Sequence, residues 1–350
     1  MNMNTENTMN KEGKLVPFAP AQPQDENWRK SIPAQVFLNH FFAIDFHIQR
    51  QDDLFDLSRF PLFQDFAPQV SDEQQKALEK LLLNSWSAEY ALRITPVVND
   101  NQYLQSSLHW TFPQAYYSVL FSVRAFLHAM GEPVSNEEII RRRIGNMVVR
   151  GYYPASVGFY ASGPLNNYRT MRLPMAKLDI AKPDLTLPSR ESAAQIEIAQ
   201  FLKTSRDQRI KALRQAIQNN PKTALRSTKT GKVLQKFGQE QYKQLGKQIG
   251  YTTYFDALSR LRISSSNREI ERFVESEIDV RLFHESLVNI VSHINAVHEA
   301  YIAKALGIEG YKRLIAKLPS YLQEGFLRER LNRVIEPLLE SGQPPLRIAA

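Results

Sequence analysis

Apolar residues recur along this chain with a period near 3.6, which is the signature of amphipathic helices. The clearest run begins at Ser71, which is followed three residues later by Gln74 in a capping-box arrangement. Leu78, Leu81, Leu82, Trp86, Tyr90 and Ile94 then fall on one face until Pro96 stops the pattern. Phe112 to Met130 repeats it, with Gly131 placed as a C-cap and Pro133 beyond. Ser135 and Glu138 form a second capping-box pair that opens a helix carrying Arg141, Arg142 and Arg143. Ser189 or Ser192 opens another, through Ile196, Phe201, Ile210, Leu213 and Ile217, ended by Asn219, Asn220 and Pro221. A nearly unbroken helical pattern runs from Asn267 to Leu306, and a last helix starts at Ser320 and uses Phe326, Leu327, Leu331, Val334, Ile335 and Leu338.

Two stretches depart from this period. Residues 36–68, rich in Phe and broken by Pro61 and Pro68, predict a short helix and a loop. After Arg150 the period fails, and residues 151–188 hold five prolines and three glycines, which predicts an irregular insertion with short strands. The fold class expected is mainly α, a helical bundle carrying an irregular basic insertion. The expected organisation is a disordered tail over 1–35, a first bundle part over 36–138, the basic insertion over 139–250 and a second bundle part over 251–345.

Charge gives the insertion its character. The 350 residues hold 44 Lys and Arg against 36 Asp and Glu, a net +8. Residues 139–250 alone hold 21 bases and 6 acids, a net +15, so the remainder is −7. A basic block in an otherwise acidic protein is the footprint of a surface that meets a polyanion. Tyr152, Tyr153, Phe159, Tyr160, Tyr168, Tyr242, Tyr251, Tyr254 and Phe255 lie in or beside that block, and such rings stack on unpaired bases when exposed. Arg141, Arg142, Arg143, Arg150, Arg169, Arg172, Lys229, Lys232 and Lys236 are therefore the candidate nucleic-acid contacts. The bland alternative is a solvated face whose lysines keep the protein soluble.

The chemistry the chain can support is narrow. It has no cysteine, which excludes a disulfide scaffold, cysteine-ligated zinc, iron–sulfur clusters and a cysteine nucleophile, and suits a cytoplasmic protein. The polar N-terminus lacks the apolar run of a signal peptide, and the most apolar stretch, residues 115–130, is too short to cross a bilayer, so no membrane association is expected. His284, His293 and His298 share one helix at spacings that do not bring two imidazoles to one metal, and they read as surface or half-buried residues. The run TKTGKV at 228–233 lacks the first glycine and the final Ser or Thr of a phosphate-binding loop. No cofactor and no metal are expected. Arg124 and His128 lie one turn apart in an apolar helix, where a buried arginine must be paired with an acid or a phosphate.

AYYSVLFSVRAFLHAMGEP, residues 115–133, resembles the signature helix of the HEPN (higher eukaryotes and prokaryotes nucleotide-binding) domains, in which a Tyr-Tyr pair precedes a small and aromatic helix. WSAEYALRI at 86–94 is similar to the preceding helix of that family, and LRISSSNREIERFVES at 261–276 to its closing elements; the likeness spans residues of about 72–133 and 260–306. The resemblance implies a helical bundle, a homodimer, RNA as a partner and a place in a toxin or antiphage defence system. Many members are metal-independent ribonucleases with an arginine followed after four to six residues by a histidine. Here Arg124 has three intervening residues before His128. The resemblance thus implies RNA contact more than catalysis, with Arg124 and His128 as the residues that would act as cation and base if cleavage occurs. The function expected is binding of RNA or single-stranded nucleic acid. The alternatives are a module that docks an acidic protein partner, or its own acidic remainder, and a divergent ribonuclease.

Overall fold

The computed structural model describes residues 26–177, 185–227, 230–234, 236–265 and 269–341. It is a mainly α-helical bundle. Its principal helices are α1 (Glu26–Gln51), α2 (Asp72–Ile94), α3 (Leu108–Ala129), α4 (Glu137–Arg150), α5 (Glu191–Asn219), α6 (Gln239–Gln248), α7 (Tyr254–Ser264), α8 (Val280–Leu306) and α9 (Ile308–Ala316). A two-stranded antiparallel ribbon, β1 (Tyr160–Ser162) and β2 (Arg169–Met171), pairs Ala161 with Thr170, and Ala161 also bridges Thr252 ahead of α7. No described helix is long and apolar enough to cross a membrane.

Local chemistry sets most of the helix ends. Ser71 and Gln74 form the reciprocal capping box on α2. Thr253 and Asp256 do the same on α7, and Asp279 accepts from the Leu282 N–H to open α8. Asn136, rather than Ser135, caps α4, its side chain accepting from the Glu138 and Ile139 N–H groups. Both residues are good caps, and the asparagine wins because it lies directly before the first helical residue. Gly151, at φ +97°, closes α4 in the left-handed conformation that suits glycine.

Three stretches differ from the sequence expectation. Residues 26–35, expected within the tail, are the first turns of α1, and what reads as a short helix after residue 36 is one helix through Pro33 to Gln51. The middle of α1 is buried on nearly every side among Phe201, Phe273 and Phe283, so its apolar residues leave no stripe to recognise. The pattern from Asn267 to Leu306 divides into Glu269–Val274 and α8, where Asp279 restarts the helix. The final helix is broken at Gly325 and passes through a π-turn at Leu331–Ile335, directly after Arg330.

The core is apolar with two polar knots. In the first, the buried Arg330 guanidinium bonds to Glu89 of α2 and Glu299 of α8. Glu299 also accepts from Trp86 Nε1 at 3.0 Å and Tyr311 Oη at 2.6 Å, while Glu89 accepts from Arg93 at 2.9 Å and Asn295 at 2.8 Å. Burial pushes the Glu89 carboxyl up, but Arg330 and Arg93 outweigh it and hold it below the ordinary range; for Glu299 burial prevails and its pKa is raised. In the second knot, His298 Nδ1 lies 2.7 Å from Ser122 Oγ, and its Nε2 lies 3.0 Å from Tyr153 Oη and 3.3 Å from Tyr254 Oη. Burial pushes His298 down to about 3. His293, bonded to Ser156 Oγ at 2.8 Å, is pushed down to about 4, also chiefly by burial. His284 and His298 are thus fully buried core residues, not the surface or half-buried ones expected.

Replacing Arg330 by Met leaves two buried carboxylates facing each other without their cation. The expected loss is about 3–5 kcal/mol of unfolding free energy, measured by urea denaturation. Acid should weaken the fold as pH falls below about 6.5. His293 and His298 bind protons near pH 6.5 in the unfolded chain but only at about 4 and 3 when folded, so stability is full above pH 6.5 and falls as pH drops through that window. The slope is at most about 1.4 kcal/mol per pH unit for each histidine. Denaturation midpoints measured from pH 7 to pH 4 check this, and a His298→Gln variant should show a shallower dependence.

Candidate nucleic-acid interface

Helix α5 is 29 residues long, about 43 Å, and belongs to two cores. Its N-terminal half packs Ala194, Ile198, Phe201 and Leu202 into the main core, where Phe201 meets Phe37 and Phe41 of α1 edge-on. Its C-terminal half carries Ile210 into a separate small core with Phe237, Leu245 and Ile249, walled by Leu213, Ile217, Leu234 and Tyr242. The basic segment 139–250 is accordingly divided. Helix α4, the ribbon and the first half of α5 are integral to the bundle, and residues 203–250 build a satellite lobe.

A buried arginine helps to join lobe to bundle. Arg206 is 1% exposed, and its guanidinium donates to the carbonyls of Gly163 at 2.7 Å, Gly250 at 2.7 Å and Gly246 at 2.9 Å. Burial and the neighbouring Arg209 push its pKa down to about 10, which leaves it charged at neutral pH. The glycine at 246 is required by closeness: a Cβ there would meet the Gly163 carbonyl at 2.9 Å. Beyond α5, Arg226 and Val233 bridge across a tight turn in which the Gly231 N–H donates to Ser227 and the Ser227 N–H to Lys232. This is the site of the TKTGKV run, and the Gly231 amide is used within the turn.

The surface of the lobe is cationic. Lys211, Lys222, Arg226, Lys232, Lys236, Lys243 and Lys247 are all exposed. Residues 203–250 include only two acids, Asp207, which bonds Lys211 at 2.5 Å, and Glu240, which lies 3.8 Å from Lys243. At its junction with the bundle an open groove of about 410 Å³ is lined by Leu165, Asn166, Tyr168, Gln200, Lys203, Thr204, Asp207 and Lys211. Tyr168 donates to Asp207 at 2.9 Å, and burial together with that carboxylate pushes the phenol up to about 12. Lysines displayed in this way can make point contacts with phosphate, and they carry no sequence information.

The candidate contacts read from the sequence separate into distinct environments. Arg141 is enclosed, 3.0 Å from Glu137, 3.6 Å from Asp256 and 2.9 Å from Ser259 Oγ, in a cluster that Arg209 completes by bridging Glu138 and Asp256 at 3.0 Å each. Arg172, at φ +63°, turns its guanidinium onto the Val148 and Val149 carbonyls at 2.7 and 3.1 Å and so caps the C-terminus of α4. Arg142 and Arg143 are exposed but each faces one carboxylate, Glu138 at 3.8 Å and Glu132 at 3.0 Å. Arg150, Arg169, Lys232 and Lys236 are exposed and form no ion pair among the described residues. Lys229 lies outside the described residues. Lys232 and Lys236 share the lobe with Lys211, Lys222, Arg226, Lys243 and Lys247, which the candidate set lacks although they stand in the same basic run.

The expected stacking rings are not where the basic block suggests. Tyr153, Phe159, Tyr254 and Phe255 are buried in the main core, and Tyr152, Tyr160, Tyr168, Tyr242 and Tyr251 are half-buried. Helix packing consumed them because they are also the largest apolar surfaces in an otherwise polar stretch. Arg124 and His128 do lie on one face of α3, both half-buried. Arg124 donates to the Val134 carbonyl at 3.3 Å and, among the described residues, pairs with no acid; His128 Nε2 is buried without a hydrogen-bond partner. Among the described residues no group of three or more His, Asp or Glu is arranged to hold a metal ion. No family model, no curated protein and no solved structure matches this chain.

Proposed function

We propose that this protein binds nucleic acid through the lobe formed by residues 203–250, with RNA or single strands preferred to duplex DNA. The observation that carries the reading is the display of seven lysine and arginine side chains on a small unit whose own acids number two. Those seven side chains are not what holds the unit in place, since its core is apolar and its attachment is made by Arg206 to carbonyl oxygens and by Arg209 to Glu138 and Asp256. The preference for RNA rests on the resemblance of residues 115–133 to HEPN helices.

A second reading has one observation in its favour. The chain already docks part of its basic segment on its own acids, through Arg141 and Arg209 to Glu137, Glu138 and Asp256, and an acidic protein partner would use the same chemistry. The two readings differ in what copurifies: the first expects material absorbing at 260 nm that high salt removes, the second does not.

Fluorescence anisotropy with a labelled 20-nucleotide RNA should show binding that weakens steeply from about 50 to 200 mM salt through counterion release. Substituting Lys222, Lys232 and Lys236 together by Gln should lower the slope of log K against log salt by about 2, at about 0.7 per lost phosphate contact on a single strand. Absence of binding at low salt, or an unchanged slope in the triple variant, would sink the assignment.

A further inference from the structure

Among the exposed rings, Tyr103, Trp110 and Tyr117 lie on α3 and the short helix before it, while Phe55 and Tyr321 stand elsewhere. Trp110 is 42% exposed, Tyr117 40% and Tyr103 38%, and Phe121 is half-buried beside them. At 100° per residue, positions 110, 117 and 121 fall within about 40° of one another on α3, and Arg124 and His128 continue the same line. The rings form two pairs. Tyr103 and Trp110 have centroids 6.2 Å apart, and Tyr117 and Phe121 are stacked with centroids 6.2 Å apart and planes at 28°.

Two features say what such a face accepts. First, α3 contains no acidic residue along its 22 positions, while Arg124 lies with its guanidinium 5.8 Å from the Phe121 ring centroid. The nearest carboxylates in sequence are occupied: Asp100 caps the helix before it through the Tyr103 N–H, and Glu132 pairs with Arg143. Second, the spacing suits a strand. Trp110 and Tyr117 are about 10.5 Å apart along the helix axis, about three base steps of 3.4 Å.

We propose that the outward face of α3, with Trp110, Tyr117 and Phe121 as its rings and Tyr103 of the preceding short helix beside them, stacks the unpaired bases of a single-stranded nucleic acid. This inference rests on the nucleic-acid reading and gives it a source of single-strand preference in rings more exposed than those of the basic segment. Flat rings beside a guanidinium accept any base, because every base has a π-face. A duplex keeps its bases stacked on one another and gains nothing from them.

The test uses the full chain with Trp110→Ala and Tyr117→Ala, singly and together, each checked for unchanged helicity and urea midpoint. Two probes are titrated at low salt, a 15-nucleotide oligouridylate and a 15-base-pair duplex. Each substitution should weaken oligouridylate binding at least about fivefold, the loss expected for one stacked base, and leave duplex binding unchanged. In a Trp28→Phe background, oligouridylate should quench the fluorescence of Trp110, since Trp86 is buried, and the further change Trp110→Phe should abolish the quenching. Wild-type affinity for oligouridylate in the double variant overturns the inference while leaving the lobe assignment standing. A change of mass in light scattering of the free double variant also overturns it, by showing that a second copy covers this face. Failure of the wild type to bind either probe removes both readings.

Discussion

A single buried cation sets the register of this bundle. Arg330 reaches inward from the C-terminal helices to Glu89 on α2 and Glu299 on α8, and each carboxylate in turn accepts from side chains of the elements around it. Moving charge into an apolar core is costly unless every group is paired, so these helices have one arrangement that satisfies all of them and a heavy penalty for sliding. Asn295 extends the constraint to α3 by donating both to Glu89 and to Ser118 Oγ at 2.9 Å. Ser118 and Ser85 then exchange hydroxyl-to-carbonyl bonds at 3.1 and 2.8 Å, which locks α2 against α3 at close range. With the inner face of α3 fixed in this way, its outer face, bearing Trp110, Tyr117 and Phe121, is fixed as well.

None of those couplings is visible in the amino-acid pattern, because they join residues 12 to 241 positions apart. What the pattern does disclose is local. The capping box at Ser71 and Gln74, Gly131 in its left-handed conformation after α3 and the long period of α8 each follow from residues within one or two turns. Where a helix is surrounded, as α1 is, the period that marks an amphipathic helix disappears, and Pro33 adds a false stop signal. Pro113 lies inside the N-terminal part of α3 in the same way. In both helices tertiary burial outweighs a local penalty of about 3 kcal/mol.

Charge shows the same limit from another direction. A count over residues 139–250 treats every base alike, yet the fold places them differently. Arg141, Arg206 and Arg209 are drawn inward, where the planar guanidinium can satisfy several carbonyls or carboxylates at once. Lysines, with a compact and strongly hydrated ammonium, stay on the lobe surface. The acids that neutralise the arginines, Glu132, Glu137, Glu138 and Asp256, stand just outside the counted segment, so the net +15 overstates what a ligand meets. The located cationic surface is smaller than the sequence suggests and richer in lysine.

The lobe is nonetheless mechanically continuous with the bundle. Helix α5 runs unbroken from Glu191 to Asn219, and Arg206 sits where its two cores meet, tying the turn at Gly163 to Gly246 and Gly250 on either side of the end of α6. Because a continuous helix resists bending more than a linker does, a polyanion held at Lys222 or Lys232 is held at a defined position relative to the bundle. A flexible basic tail would give the same affinity through charge alone, but it could not present a strand to any second surface in a fixed geometry. The buried arginine at 206 therefore helps to convert a charge count into a cationic surface of fixed position.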